Sequence, residues 1–365
     1  MGPAIPSRGN CRSPAARGSV TIVSGEGRAA AAPADRNREG RQIFVDALAE
    51  LAEDSRNPRL RSILRQLTRA PKVAVRGRAG AGCTTVAAAL TAAGVAVAPD
   101  PSTADLDAVV IAETLKPEDT ALIGASQRPT VVILNKADLS GFGAGGPLPI
   151  AHRRAAAYRA LSGVPTVPMV ALLAAVRLDD ELLAALTALV AEPADLTSTD
   201  AFVQCAHPVP AAVRRRLLAA LDRFGIAHAV LALAGGAAPV ALPGLLRRHS
   251  LVERVVAHID AACAPLRYHR IRSAIIELRA LAAQSGDARL TAFLAGDDAV
   301  VGAMAAAVDV VEAAGVPVDR ADDAGAHLRR AVHWRRYGRG PVAALHRDCA
   351  SDISRGSLRL LERSR

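Results

Sequence analysis

The stretch from Lys72 to Asp138 limits what this chain can fold into more than any other. It opens on the apolar run Val73-Ala74-Val75 and passes at once into Gly77-Arg78-Ala79-Gly80-Ala81-Gly82-Cys83-Thr84-Thr85. Four residues separate Gly77 from Gly82, which sets the frame G-x-x-x-x-G between a strand and a helix. Backbone N–H groups converge on an anion only where Cβ atoms stay out of the way, and a helix that starts there adds the positive end of its dipole. Gly77, Arg78, Gly80, Gly82, Cys83, Thr84 and Thr85 are therefore the candidate phosphate contacts. Thr84 stands at the magnesium-ligand position, and Cys83 stands where such a loop carries lysine.

The stretch closes on a second apolar run that ends in Asn135-Lys136-Ala137-Asp138. A carboxylate at Asp138 can accept from the ring N–H and the exocyclic amine of guanine, a charge-assisted pair of contacts. Asn135 would tie this reader to the glycine loop, and the Lys136 stem would lie over the base. Lysine occurs only at positions 72, 116 and 136, so its presence here is a sharper signal than in a lysine-rich chain.

Around this stretch apolar runs alternate with helical periodicity. Strands are predicted over 73–75, 95–98, 106–112, 130–134 and 166–170, and helices over 84–93, 117–125 and 152–161. That alternation predicts an α/β domain with a mostly parallel sheet covered on both faces. Beyond Leu178 the pattern is helical, with segments over 182–190, 213–221, 251–263, 268–283 and 299–314. Residues 1–40, rich in Gly, Pro, Ser, Ala and Arg, read as a disordered leader. Residues 41–70 read as two amphipathic helices, 71–192 as the α/β domain, and 193–365 as a helical domain. That last domain ends in a basic tail (Arg335, Arg336, Arg339, Arg347), read as a solvated helix.

The chain is 51% hydrophobic but only 2% aromatic, so its core must be built from Ala, Val and Leu, which lets helices approach closely. Its net charge of +10 comes from arginines spread along the whole length without interleaved aromatics, a pattern that argues against specific nucleic-acid reading. Cys11, Cys83, Cys205, Cys263 and Cys349 have no paired spacing and no histidine cluster beside them, so no dedicated metal site is expected and a reduced, cytoplasmic setting fits. The longest apolar run, 226–246, holds His228, a glycine pair and two prolines, which suits a core better than a membrane span.

With these motifs in place, the chain resembles the P-loop GTPases, and in particular the bacterial dynamin-like and Era-like GTPases. The likeness covers about Lys72 to Val176. It includes the stretch Val167-Pro168-Met169-Val170-Ala171, where Val170 takes the place of a serine and Ala171 is kept as a backbone contact to guanine. The resemblance implies a P-loop NTPase-like domain followed by an α-helical domain, a GTP or GDP ligand, and Mg2+. It also puts Thr84 and Asp100 forward as magnesium and γ-phosphate sensors. The departures are Cys83 for the loop lysine, Thr103 for the glycine expected after Asp100, and an interval of only 15 positions from Thr85 to Asp100, too short for a switch segment.

Phosphoryl transfer rests on positioned charge, so GTP hydrolysis is expected to be weak at most. The function implied is that of a degenerate GTPase-like protein, a regulator or partner of an active GTPase. The alternatives are a slow GTPase that uses Arg78, and a nucleotide-free scaffold that docks a partner or, peripherally, a membrane surface. A nucleophilic role for Cys83, with its pKa lowered by the helix start, would lack an assigned base, since His152 and His207 have no sequence link to it.

Overall fold

The computed structural model describes residues 33–55, 57–141 and 143–364. Two helices, α1 (Pro33–Ser55) and α2 (Pro58–Thr68), lead into β1 (Lys72–Gly77). There follow α3 (Cys83–Ala92), β2 (Ala96–Val97), β3 (Leu106–Ala112), α4 (Pro117–Gly124), β4 (Thr130–Asn135), α5 (Pro147–Ser162) and β5 (Thr166–Pro168). The rest is helical: α6 (Asp180–Ala191), α7 (Thr199–Gln204), α8 (Ala211–Ala234), α9 (Leu242–Ser250), α10 (Val252–Ala262), α11 (Ala264–Ser285), α12 (Ala288–Ala295), α13 (Asp297–Ala313), α14 (Ala324–Tyr337) and α15 (Ala344–Arg363).

The five strands form one all-parallel sheet in the order β2-β1-β3-β4-β5. Every residue of the central β3 is buried, as a strand covered on both faces requires. Because side chains alternate across a strand, Ala108 and Val110 face one way and Val109 and Ile111 the other. The first face packs under α3 and α10 through Val86, Leu90, Val252, Val255 and Ile259, and the second under α4 and α5 through Ile123 and Ala155. At the carboxyl edge of the sheet, Ala137, Val170 and Leu173 join a separate core built from α6 to α9.

A further core unites the two ends of the chain. Phe44 and Leu48 of α1 and Leu60 and Ile63 of α2 pack with Tyr268, Leu278, Val311, Trp334 and Ile353 of the last helices. The alanines of α13 (Ala299, Ala303, Ala306, Ala307) are buried in it, the small-residue packing that the composition demands.

Three boundaries differ from those the sequence suggests. Helix α1 begins at Pro33, so the last residues assigned to the leader are helical; residues 1–32 lie outside the described part. The helices of 41–70 share a core with the C-terminal helices, while α10, placed beyond 192, covers the sheet. The basic tail is not a solvated appendage: Trp334, Cys349, Ile353 and Ser357 are buried, and only the outer faces of α14 and α15 carry the arginines to solvent.

Among the described residues, α8 is the one helix long and apolar enough to cross a membrane. It breaks at Asp222, where φ is 51° and ψ 177°. Val213, Leu217, Leu221 and Ile226 are buried against the carboxyl-edge core, and buried Arg214 donates to the carbonyls of Phe202 and Cys205 at 2.8 Å each.

Candidate functional site at the carboxyl edge of the sheet

Because all strands run the same way, the segments that follow β1, β3, β4 and β5 gather at one edge. Gly77 pairs with Val110 and Ala112 with Asn135, so the glycine loop and the Asn135–Asp138 segment leave the sheet side by side. The loop needs its glycines for two separate reasons. A Cβ on Gly77 would sit 2.4 Å from the Val110 carbonyl oxygen, and Gly82 has φ +89° with Asn135 Nδ2 only 2.5 Å from where a Cβ would be. Gly77→Ala is expected to lower stability by about 2 kcal/mol, since the contact is with fixed backbone rather than a movable side chain; the midpoint of urea unfolding measures it.

Gly82 opens α3 with backbone alone and supplies no side-chain cap to the first N–H groups of the helix. Thr84 and Thr85 are exposed there, at the end where an anion meets both free donors and the helix dipole.

Asn135 is the pin of the site. It is 4% exposed; its Nδ2 donates to the Ala81 carbonyl at 3.0 Å, and its Oδ1 accepts from the Ala171 N–H at 3.1 Å. One amide thereby joins the glycine loop, the end of β4 and the segment after β5. The same bond differs from expectation in one respect: the Ala171 N–H is taken by Asn135 and is not offered to a base. Val170 donates to Ser250 O at 3.0 Å and is buried as well.

The next residues turn outward. Lys136 is exposed with φ 56° and ψ 41°, a left-handed backbone that non-glycine residues seldom adopt and that is held where structure over-determines it. Asp138 is half-buried, and burial together with the nearby Asp222 carboxylate holds its pKa above the ordinary 3.8, against the lowering effects of its backbone N–H and Lys136. Asp222 was missed by sequence reasoning; its only signal is an aspartate inside an otherwise apolar helical stretch.

Two candidates are corrected by the geometry. Asp100 does not reach the glycine loop. Ala98 N–H bonds to Val73 O, Asp105 N–H bonds to Lys72 O, and Arg128, just before β4, donates to Pro101 and Ala104 carbonyls, so the Asp100 turn lies at the amino edge of the sheet. The length of β1 separates the two edges by about 17 Å. Asp100 instead caps its own turn, accepting from Ser102 N at 2.9 Å and Ser102 Oγ at 2.6 Å, bonds that lower its pKa.

Arg78, though it starts in the loop, reaches across to α4. Its Nε donates to Asp119 Oδ2 at 3.2 Å and its NH2 to Ala112 O at 2.9 Å. Asp119 is fully buried and also accepts from the Lys116 N–H at 3.1 Å.

Cys83 fails as a nucleophile for a related reason. Burial raises its thiol pKa, and that outweighs the opposing backbone hydrogen bond, so the thiol stays protonated at neutral pH. The site thus carries neither a lysine nor a thiolate at this position. His152 contacts Arg254 and His207 contacts Glu192 O, so the bonds of both histidines go to other partners than Cys83.

No group of three or more His, Cys, Asp or Glu that could hold a metal exists among the described residues. Thr84, at the position the loop frame gives to the magnesium ligand, would offer a hydroxyl to a magnesium ion brought in with a nucleotide. Comparison of this chain with known protein families, curated proteins and solved structures yields no match.

Proposed function

We propose that the carboxyl edge of the sheet binds a guanine nucleotide and hydrolyses it slowly or not at all. The observation that carries this reading is the Asn135 amide, which holds the glycine loop and the Ala171 segment in one register and leaves the Asp138 carboxylate beside them. Phosphates would lie at the open start of α3, and the base between Lys136 and the segment after β5. In this reading the domain belongs to the P-loop NTPase-like class, near the dynamin-like and Era-like GTPases. The protein acts in the cytoplasm as a regulator or partner of an active GTPase. Weak hydrolysis follows from the protonated Cys83 thiol at the lysine position, from Arg78 being tied to Asp119, and from the placement of Asp100 at the far edge.

The test is calorimetric titration with GTP, GDP and ATP. GTP and GDP are expected to bind and ATP not. Asp138→Ala is expected to weaken GTP by about 150-fold, the loss of two hydrogen bonds to a charged acceptor at about 1.5 kcal/mol each. Equal binding of ATP, or indifference to Asp138→Ala, overturns the guanine assignment.

The reading also carries a pH dependence. Guanine donates to the carboxylate form, and burial keeps Asp138 protonated up to a pH above 3.8, so affinity is expected to fall on acidification earlier than for an ordinary aspartate. The sign for stability is opposite. The folded state holds this proton where the unfolded chain has lost it, so between 3.8 and the raised value stability decreases as pH rises.

A further inference from the structure

We infer that the C-terminal helical bundle holds a second anion site, built for a small molecule that carries several phosphate groups. A cavity of about 760 Å³ opens between α11, α12, α13, α14 and α15. Six arginines line it (Arg279, Arg335, Arg339, Arg347, Arg355 and Arg359), against a single carboxylate, Glu362.

The arginines come from separate elements. Arg279 lies on α11, Arg335 on α14 and Arg339 in the turn between α14 and α15. On α15, Arg347, Arg355 and Arg359 repeat at helical spacing with Ser351 between them, on the face opposite buried Ala350, Ile353 and Ser357.

Four of them lack partners among the described residues yet share one cavity, unlike the unpaired arginines scattered singly over the surface, such as Arg61, Arg153, Arg177 and Arg215. Where arginines elsewhere cluster, they converge on carboxylates, as in Arg69 and Arg270 with Asp105 and Arg76 and Arg128 with Asp107. Arg359 takes Glu362 at 3.5 Å and Asp297 at 3.3 Å, and Asp352, in the adjoining cavity, accepts from the Tyr268 hydroxyl and pairs with neither Arg279 nor Arg355. The guanidinium groups of Arg279, Arg335, Arg339 and Arg355 make no hydrogen bond or ion pair among the described residues. Like charges held together in this way work against the folded state, and packing alone gives no reason for the arrangement. An incoming polyanion supplies the missing counter-charge.

The chemistry of the lining narrows the ligand. Guanidinium forks bind phosphate through paired N–H bonds, and several forks around one concavity suit several phosphates. The volume falls within the range of small-molecule sites, and Leu294, Val300 and Leu358 give an apolar floor for the body of the ligand. A nucleic acid strand is a poorer fit, because the one aromatic ring in the lining, Trp334, is 1% exposed and offers no stacking face. The site is separate from the carboxyl edge of the sheet and does not depend on the guanine reading.

The full chain titrated with tripolyphosphate in about 0.1 M salt is expected to bind with an affinity that falls steeply as salt is raised. The double variant Arg339→Gln/Arg355→Gln is expected to weaken binding by about tenfold or more. Both residues are exposed, so its far-UV dichroism and melting temperature are expected to match or exceed those of the parent. Thr84→Glu, which puts a carboxylate at the exposed start of α3 where the sheet edge would take phosphates, is expected to leave tripolyphosphate binding unchanged, which separates this site from the sheet edge. The proposal is overturned if the double variant binds tripolyphosphate as tightly as the parent. It is equally overturned if tripolyphosphate does not bind while vesicles of anionic phospholipid do, which would make the face a lipid-surface contact.

Discussion

Asn135→Ala is expected to be the most damaging single change at the carboxyl edge, costing about 4 kcal/mol of stability and removing nucleotide binding with it. The side chain is buried and makes one bond to each of two backbone segments. Truncation leaves the Ala81 carbonyl and the Ala171 N–H without partners in a place water does not reach. Each orphaned group costs about 1–3 kcal/mol, and the vacated amide adds a small cavity. Asn135→Asp is informative beside it. A carboxylate can still accept from Ala171 N–H but faces the Ala81 carbonyl with an acceptor, so about half of the loss should persist. Chemical denaturation gives the stability term. Titration of the folded fraction with GDP gives the binding term, and retention of wild-type affinity by Asn135→Ala would show that the loop does not need this pin.

Arg78→Ala is expected to act on the fold rather than on turnover. Its partner Asp119 is fully buried, while Arg78 itself keeps a quarter of its side-chain surface in water. Removing the cation leaves a buried carboxylate held only by the Lys116 N–H, with its Oδ1 unpartnered already in the native protein. Breaking a pair of this kind costs about 3 kcal/mol once the partial exposure of Arg78 is allowed for. Arg78→Ala/Asp119→Leu removes both charges and is expected to recover most of that loss, which a simple double-mutant comparison of unfolding free energies measures. A catalytic role for Arg78 predicts the reverse: wild-type stability in Arg78→Ala with hydrolysis abolished.

The strands and the glycine frame were legible because they are local. The buried run at 106–112 and the alternation around it specify a two-faced parallel strand, and Gly77 to Gly82 specify a turn that only glycines make. The link between Asn135 and the loop was legible for the same reason, since one short side chain at a strand end reaches its neighbouring strand end in a parallel sheet. The Asp100 placement was not. With two residues, β2 has too little pattern to declare its register, and it pairs with the start of β1 rather than its end.

Arg78 shows the same limit from the other side. Its position in the loop is plain in the chain, but its partner lies 41 residues further on. Competition between a phosphate and a buried aspartate for one guanidinium is settled by distance alone. Cys83 follows suit: the helix start lowers a thiol pKa and burial raises it, and burial is a property of what packs around the loop.

What the amino-acid sequence determined by itself, then, is the order of strands and helices along the chain, the glycine turn and the Asn135–Asp138 segment that follows β4, all set by periodicity and backbone chemistry within a few residues. What only the tertiary structure decided is the choice of partners. It brings α1 and α2 into one core with α11 to α15, lays α10 on the sheet, ties Arg78 to Asp119, and gathers unpaired arginines from three helices and a turn around one cavity. Those pairings depend on contacts between residues tens to hundreds of positions apart, which the packing of apolar faces selects and no local pattern records.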